Sequence, residues 1–373
     1  MEYGFYLPNS GAGAEPDALA SIAKQGDRLG FYCMVMPDHI LQPNRVDSTY
    51  PYSLTGDILA AGQSGDGEWP EQITTLAYLA GVTERIRLVT SVMIIPYRNP
   101  ILTAKMLATL DMLSKGRLIL GAGVGWMEEE FELLDAPPFA ERGAVTDEYL
   151  QAFIELWTKD DPKFEGKYVS FSDIPFLPKP VQKPTPPIYM AVTHSPESVE
   201  IAVSNRWGLF TVGSSFFPAS PDSDQNLISL YHRRMTEEGV APGDIDIAAV
   251  RNVYVSPTDQ EAIDLLTPRL QWAGDMGEYL RRPVSVMANA PGGLRGYENY
   301  VRDPFIEKDL LEERGKEGMA AIGSPEKVTA AIKELESNHV SNFISYLDAG
   351  GLDFDQVSSS LRLFAGKVIP NFR

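Results

Sequence analysis

Short apolar runs alternate along this chain with stretches in which apolar residues recur every three to four positions. The runs "YGFYL" (Tyr3–Leu7), "FYCMVMP" (Phe31–Pro37), "IRLVTSVMII" (Ile86–Ile95) and "RLILGAG" (Arg117–Gly123) read as strands. Between them, about Asp17 to Leu29, "EQITTLAYLAGVT" and "NPILTAKMLATLDMLS" carry helical spacing, the last with Pro100 in its first turn. The second half keeps the rhythm. "AVTDEYLQAFIELW" predicts a helix, and the proline-rich segment Phe164 to Pro187 predicts a hairpin-like excursion. "PIYMAV" (Pro187–Val192) is a fifth strand with "SPESVEIAVSN" opening a helix behind it. "WGLFTV", "IDIAAVRNVYVS" and "VSNFISYLD" (Val340–Asp348) complete the strands. An irregular stretch, about Pro268 to Met319, precedes "GSPEKVTAAIKELE", a helix with Ser324 as N-cap, Pro325 at its first position and Glu326 beside it. A terminal helix covers about Phe354 to Ala365.

Strands alternating with helices in this way indicate the α/β class. They point to one (β/α)8 barrel of the TIM type over 1–373, with insertions at about 42–69, 162–187 and 268–319. A doubly wound open sheet is the alternative. The stretch "GRLILGAGVGW" bears on that choice. A dinucleotide fingerprint needs G-x-G-x-x-G at the strand-to-helix turn. Here Gly121, Gly123 and Gly125 place the third glycine one position early, and Trp126 stands where it should be. The fingerprint fails.

Composition narrows the partners. A formal net charge of -19 argues against a nucleic acid, whose binding rests on cationic neutralisation of phosphates. It leaves room for a small phosphorylated ligand. A single cysteine, Cys33, permits no internal disulfide or cysteine-cluster metal site, and its apolar setting predicts a buried, inert thiol. No apolar run is long enough to span a membrane, and the first strand starts at Tyr3 with no signal peptide before it, so a cytoplasmic protein is expected.

In such a barrel the chemistry sits where strands end. Asp38 and His39 follow the second strand; His39 suits proton transfer near neutral pH, or is simply a loop histidine packed on Asp38. The glycine turn lets a planar or phosphorylated ligand approach backbone N–H groups, or is only a tight turn. Thr193, His194 and Ser195 open a helix where an anion would be favoured, unless Ser195 merely caps it. Glu128, Glu129 and Glu130 read as a solvent-facing acidic first turn, and His232 and His339 as surface residues. P-loop, nucleophile-elbow and zinc-helix motifs are absent.

The segment "VTSVMIIPYRNPILTAKMLATLDMLSKGRLILGAGVGWMEEEF" (Val89–Phe131) resembles the signature region of the luciferase-like flavin and deazaflavin oxidoreductases. The likeness extends to "MPDHI", "PFAERGAVTDEYLQAFIELWT", "PKPVQKPTPPIYMAV" and "GSPEKV", in the expected order over most of the chain. It implies a (β/α)8 barrel, often a homodimer, that binds FMN or the deazaflavin coenzyme F420 at the C-terminal mouth of its strands. Asp38 and His39 match an acidic–His pair beside the coenzyme ring. Ser91 and Val92 match a bulge that often holds a non-prolyl cis peptide. Gly123, Val124, Gly125 and Trp126 match the turn lining the pocket, and Ala191, Val192, Thr193, His194 and Ser195 the loop near the phosphate. That loop is often glycine-rich in the family and here reads "AVTHS".

Two chemistries fit the resemblance. The pattern from Ser91 to Phe131 favours hydride transfer between F420 and a small organic substrate. The alternative is a two-component monooxygenase that takes FMNH2 from a separate flavin reductase and uses molecular oxygen. A non-catalytic coenzyme-binding protein is a third reading. Tyr50, Tyr52, Trp69, Trp272 and Met287 hint at an apolar substrate.

Overall fold

The computed structural model describes residues 1–8, 11–41, 48, 69–192, 196–212, 227–266, 320–336, 339–347 and 352–372. Strands β1 (Glu2–Tyr6), β2 (Cys33–Met36), β3 (Arg87–Ile94) and β4 (Leu118–Gly123) pair in parallel and in order. The short hairpin β5 (Phe164–Glu165) and β6 (Ser170–Phe171) stands apart. Then β7 (Ile188–Val192), β8 (Gly208–Val212), β9 (Ile247–Val255) and β11 (Asn342–Tyr346) continue the parallel sheet. The pairings β8–β9, β9–β11 and β11–β1 close it into a ring. The closed barrel replaces the open-sheet alternative.

Strand alternation sorts side chains between two cores. Tyr6, Val35, Val89 and Ile119 lie in register across four strands and fill the barrel interior with Tyr189, Phe210 and Ile344. Their neighbours Phe5, Met34, Leu88 and Leu120 point outward into the helix-facing core with Leu76, Leu107 and Phe153. Strands covered on both sides must be apolar at nearly every position, which is why they read as continuous runs.

Helices α1 (Pro16–Leu29), α2 (Gln72–Val82) and α3 (Pro100–Leu113) follow the first three strands. Short α4 (Glu128–Leu133) and long α5 (Arg142–Thr158) follow β4. Further along come α6 (Pro196–Asn205), α7 (Leu227–Glu237), α8 (Pro325–Glu336) and α9 (Phe354–Leu363). The expected start signals are in place: Pro100 opens α3, and Ser324 Oγ accepts from Lys327 N at 3.4 Å; the structure adds a cap at Asn99, whose Oδ1 accepts from Leu102 N at 3.1 Å. Asp27 at the end of α1 accepts the backbone N–H groups of Glu84, Arg85 and Ile86, tying α1 to the α2–β3 connection.

One strand was not foreseen. β10 (Ala320–Gly323) pairs with residues 252–255 of β9. Strand β8 reaches only to Val250 on that side, so β10 takes up backbone groups that would otherwise lack partners. Insertions 42–69 and 268–319 lie outside the described residues, apart from Ser48 and Trp69. The excursion at 162–187 holds the β5–β6 hairpin, whose turn is fixed by Glu148 accepting from Lys167 N, Tyr168 N and Val169 N. Cys33 is buried and free, and burial pushes its thiol up to about 12.

Candidate active site

The C-terminal ends of β2, β3 and β4 converge on two buried carboxylates. The first is Asp38, at the exit of β2. Its oxygens accept from Arg98 Nη1 at 2.8 Å and Nη2 at 2.7 Å, and from the backbone N–H of Ile94 at 2.9 Å. Arg98 also donates to Glu71 Oε1 at 3.0 Å. Burial opposes the guanidinium charge, but the Asp38 hydrogen bonds outweigh it and hold Arg98 cationic. Glu71 in turn caps α2 by accepting from Thr74 N at 2.7 Å. The loop after β2, the end of β3 and the start of α2 are thereby locked together.

The second carboxylate is Glu130, and here the expectation of a solvent-facing acidic turn is overturned. Its side chain is 0 % exposed. It lies at helical spacing from buried Met127 and from Leu134, beside Phe131, and Phe131 and Leu134 pack on Ile94 and Tyr97, which carries Glu130 inward. Glu130 Oε2 accepts from Tyr97 Oη at 2.8 Å and pairs with His39 Nδ1 at 3.0 Å, while Oε1 accepts from Ile40 N at 2.7 Å and Leu41 N at 3.1 Å. Burial alone would raise its pKa; the His39, Ile40 and Leu41 donors win and hold it below the usual carboxylate range. An ionised carboxylate can only accept, so a hydrogen bond to it calls for the proton on His39 Nδ1. Nε2 is then the nitrogen left free, with no protein partner among the described residues. Glu129 does look outward, to Ser48 N and Oγ. The signal for Glu130 was present as the spacing Met127, Phe131, Leu134.

The His39 ring lies between two indoles, edge-on to Trp69 with centroids 5.3 Å apart and to Trp126 at 6.2 Å. Trp69 Nε1 is buried without a hydrogen-bond partner. A donor left unpaired beside a histidine suits an acceptor on a ligand.

Ser91 and Val92 sit at the bulge where the β3–β4 register shifts, and the peptide between them is cis. Ser91 Oγ is bonded to Tyr6 Oη, whose ring stands edge-on to Tyr346 at 5.1 Å. Val92 is half-exposed and touches both the barrel interior and the Ile94–Tyr97–Phe131 cluster. The glycine turn is shaped by this bulge. A Cβ on Gly123 would lie 2.4 Å from Val92 Cγ2, and Gly125 has φ +85° with Phe131 2.7 Å from where its Cβ would be. Val124 and Trp126 are half-exposed beside it. On β7, Ala191 is half-exposed whereas Val192 turns outward into the helix-facing core. Thr193, His194 and Ser195 lie outside the described residues. The two indoles beside His39, with the imidazole Nε2 and the Trp69 N–H unpaired among the described residues, make an apolar surface with two polar points, which fits a flat aromatic coenzyme ring.

Away from this mouth, His232 and His339 are in contact, their rings stacked with centroids 4.1 Å apart at the other end of the barrel. Among the described residues no cluster of three or more metal-ligating side chains occurs.

Comparison with known proteins gives this geometry its context. A model of the luciferase-like monooxygenase family matches residues 1–342. An uncharacterised protein of Mycobacterium tuberculosis is 34% identical over 189 residues, 50% of this chain; the match spans 64% of that relative's length. The FMNH2-dependent dimethylsulfone monooxygenase of Pseudomonas putida is 31% identical over 329 residues, 87% of this chain and 85% of that protein. Among solved structures, monooxygenase RslO1 from Streptomyces bottropensis superposes with a TM-score of 0.76 at 25% identity over 100% of both chains. An F420-dependent secondary alcohol dehydrogenase has a TM-score of 0.68 at 18% identity, covering 100% of this chain and 99% of that one, a likeness of fold alone. The parallel barrel, the bulge beside the glycine turn and the match over 1–342 carry one conclusion: this chain belongs to the luciferase-like monooxygenase family.

Proposed function

We propose that this protein is the oxygenase component of a two-component system, taking FMNH2 from a flavin reductase and oxygenating a small organic substrate. The observation that carries this reading is the 31% identity to an FMNH2-dependent monooxygenase across 87% of the chain. Two F420-dependent enzymes of known structure are alike in fold at 18% identity. Hydride transfer with F420, which the sequence pattern favours, is the second reading.

The site's own residues divide the work. FMN, when bound, supplies the electrons that activate oxygen. Val92, Val124, Trp126 and Ala191 offer apolar surface to its ring and exclude water. His39 Nε2 accepts or returns the proton that accompanies the chemistry. Asp38, with both oxygens occupied by Arg98 and Ile94, holds the loop that presents His39. Trp69 Nε1 donates to a polar atom of the substrate, whose remaining body is apolar. Thr193, His194 and Ser195 are proposed at the phosphate end.

Assembly follows from the surface. Tyr78 on α2 and Leu102, Met112 and Leu113 on α3 are exposed, and α2 packs beside α3, giving an apolar face suited to a homodimer. No helix among the described residues is long and apolar enough to cross a membrane, and a cytoplasmic site near the reductase accords with the proposal.

The test is isotopic. With reductase, NADH, FMN and 18O2, a panel of small apolar organic compounds is expected to give a product carrying one labelled oxygen. Turnover of a substrate with F420, and no labelled product with FMNH2, would replace this reading by hydride transfer.

A further inference from the structure

We propose that Glu130 is the positioning residue of this site: it holds His39 as the Nδ1–H tautomer and so keeps Nε2 free as a proton acceptor. The inference rests on the reading of His39 as the acid–base group, and assigns a function to a glutamate that the family resemblance did not single out.

Three observations carry it. Glu130 is wholly buried on a six-residue helix, where a first-turn carboxylate that only complemented the helix dipole would face water. Its two oxygens are used differently. Oε1 takes the backbone N–H groups of Ile40 and Leu41, which fixes the loop, whereas Oε2 takes the side chains His39 and Tyr97. Finally, the other charges near His39 are already committed: Asp38 and Glu71 are paired with Arg98. Tyr97 is held neutral by burial and by Glu130 itself, so it serves as a donor. Glu130 is thus the carboxylate that meets the imidazole.

A single substitution separates the two uses. In Glu130→Gln the amide oxygen must face the two backbone N–H groups, because an NH2 there would oppose two donors. The NH2 then points at His39 Nδ1, which has to become an acceptor. The tautomer flips to Nε2–H while the loop anchor stays.

The chain has four histidines, so the experiment is a 15N-histidine-labelled apoprotein measured by two-bond 1H–15N correlation. It is run at about pH 8.5, two units above the ordinary imidazole range, with His39→Gln to assign the signal. We expect Nδ1–H in the wild type and Nε2–H in Glu130→Gln. An Nε2–H wild type, or the same tautomer in both proteins, overturns the proposal, and the wild-type spectrum decides the matter even where Glu130→Gln does not fold. Tyr97→Phe is expected to keep Nδ1–H; a flip there would transfer the role to Tyr97. Turnover is read separately. A roughly 10²-fold lower kcat with little change in KM is expected for Glu130→Gln. A flipped tautomer with undiminished kcat would uphold the positioning and refute the acid–base reading of His39.

Discussion

Asp38 and His39 are adjacent in sequence yet meet the site in different ways, and mutation should separate them. Asp38→Ala leaves Arg98 with a buried charge and Glu71 as its remaining carboxylate among the described residues, which costs about 3 kcal/mol. Urea unfolding should show a lowered midpoint with an unchanged slope. His39→Ala removes a ring that carries no buried unpaired charge and whose chief polar contact is Glu130. Stability should fall less, while kcat drops by roughly 10²-fold and FMNH2 affinity is nearly retained. A loss confined to affinity would assign His39 to binding instead. His39 was legible as a candidate because histidines are few and this one ends a strand. Glu130 was hidden by its neighbours: three consecutive glutamates read as one solvated turn, and only the helix's apolar stripe shows that the third faces inward.

At the scale of elements, the glycine turn and the α1 clamp make separable predictions. Gly123→Val would drive Cβ into Val92 and displace the bulge, so FMNH2 binding should weaken by tenfold or more, measured by fluorescence quenching. Unchanged binding would mean that the bulge does not line the coenzyme ring. Asp27 is held below the ordinary carboxylate range: burial pushes it up, but three backbone donors outweigh that. A depressed folded-state pKa contributes stability above the unfolded value, near pH 4, and loses it as pH falls through the folded value. Asp27→Asn should therefore cost about 1–2 kcal/mol at pH 7, and the difference from wild type should shrink towards pH 3 in thermal unfolding. Helices and barrel strands were legible because their apolar period is strong and their starts are explicit at Pro100 and Ser324. Strand β10 was not: Ala320 to Gly323 is a four-residue run with only Ile322 as a strand former, and its strand character comes from the unpaired edge of β9 rather than from its own pattern.

The whole molecule joins a closed barrel to a candidate site built at the ends of β2, β3 and β4. Its apolar α2–α3 face predicts a dimer; sedimentation equilibrium should give twice the chain mass, and Leu102→Glu with Leu113→Glu should shift it to monomer. The fold was readable from alternation alone, but the coenzyme was not, because FMN and F420 share the flat ring that this wall fits and differ mainly in the groups beyond it. The most direct measurement of the central claim is an anaerobic titration of tryptophan fluorescence with FMNH2 and, in parallel, with oxidised F420. Trp69 and Trp126 flank His39 and should report a ligand at the mouth. Saturable quenching by FMNH2, lost in Gly123→Val, with no comparable response to F420, is the predicted result. Tight binding of F420 with none of FMNH2 would contradict the account.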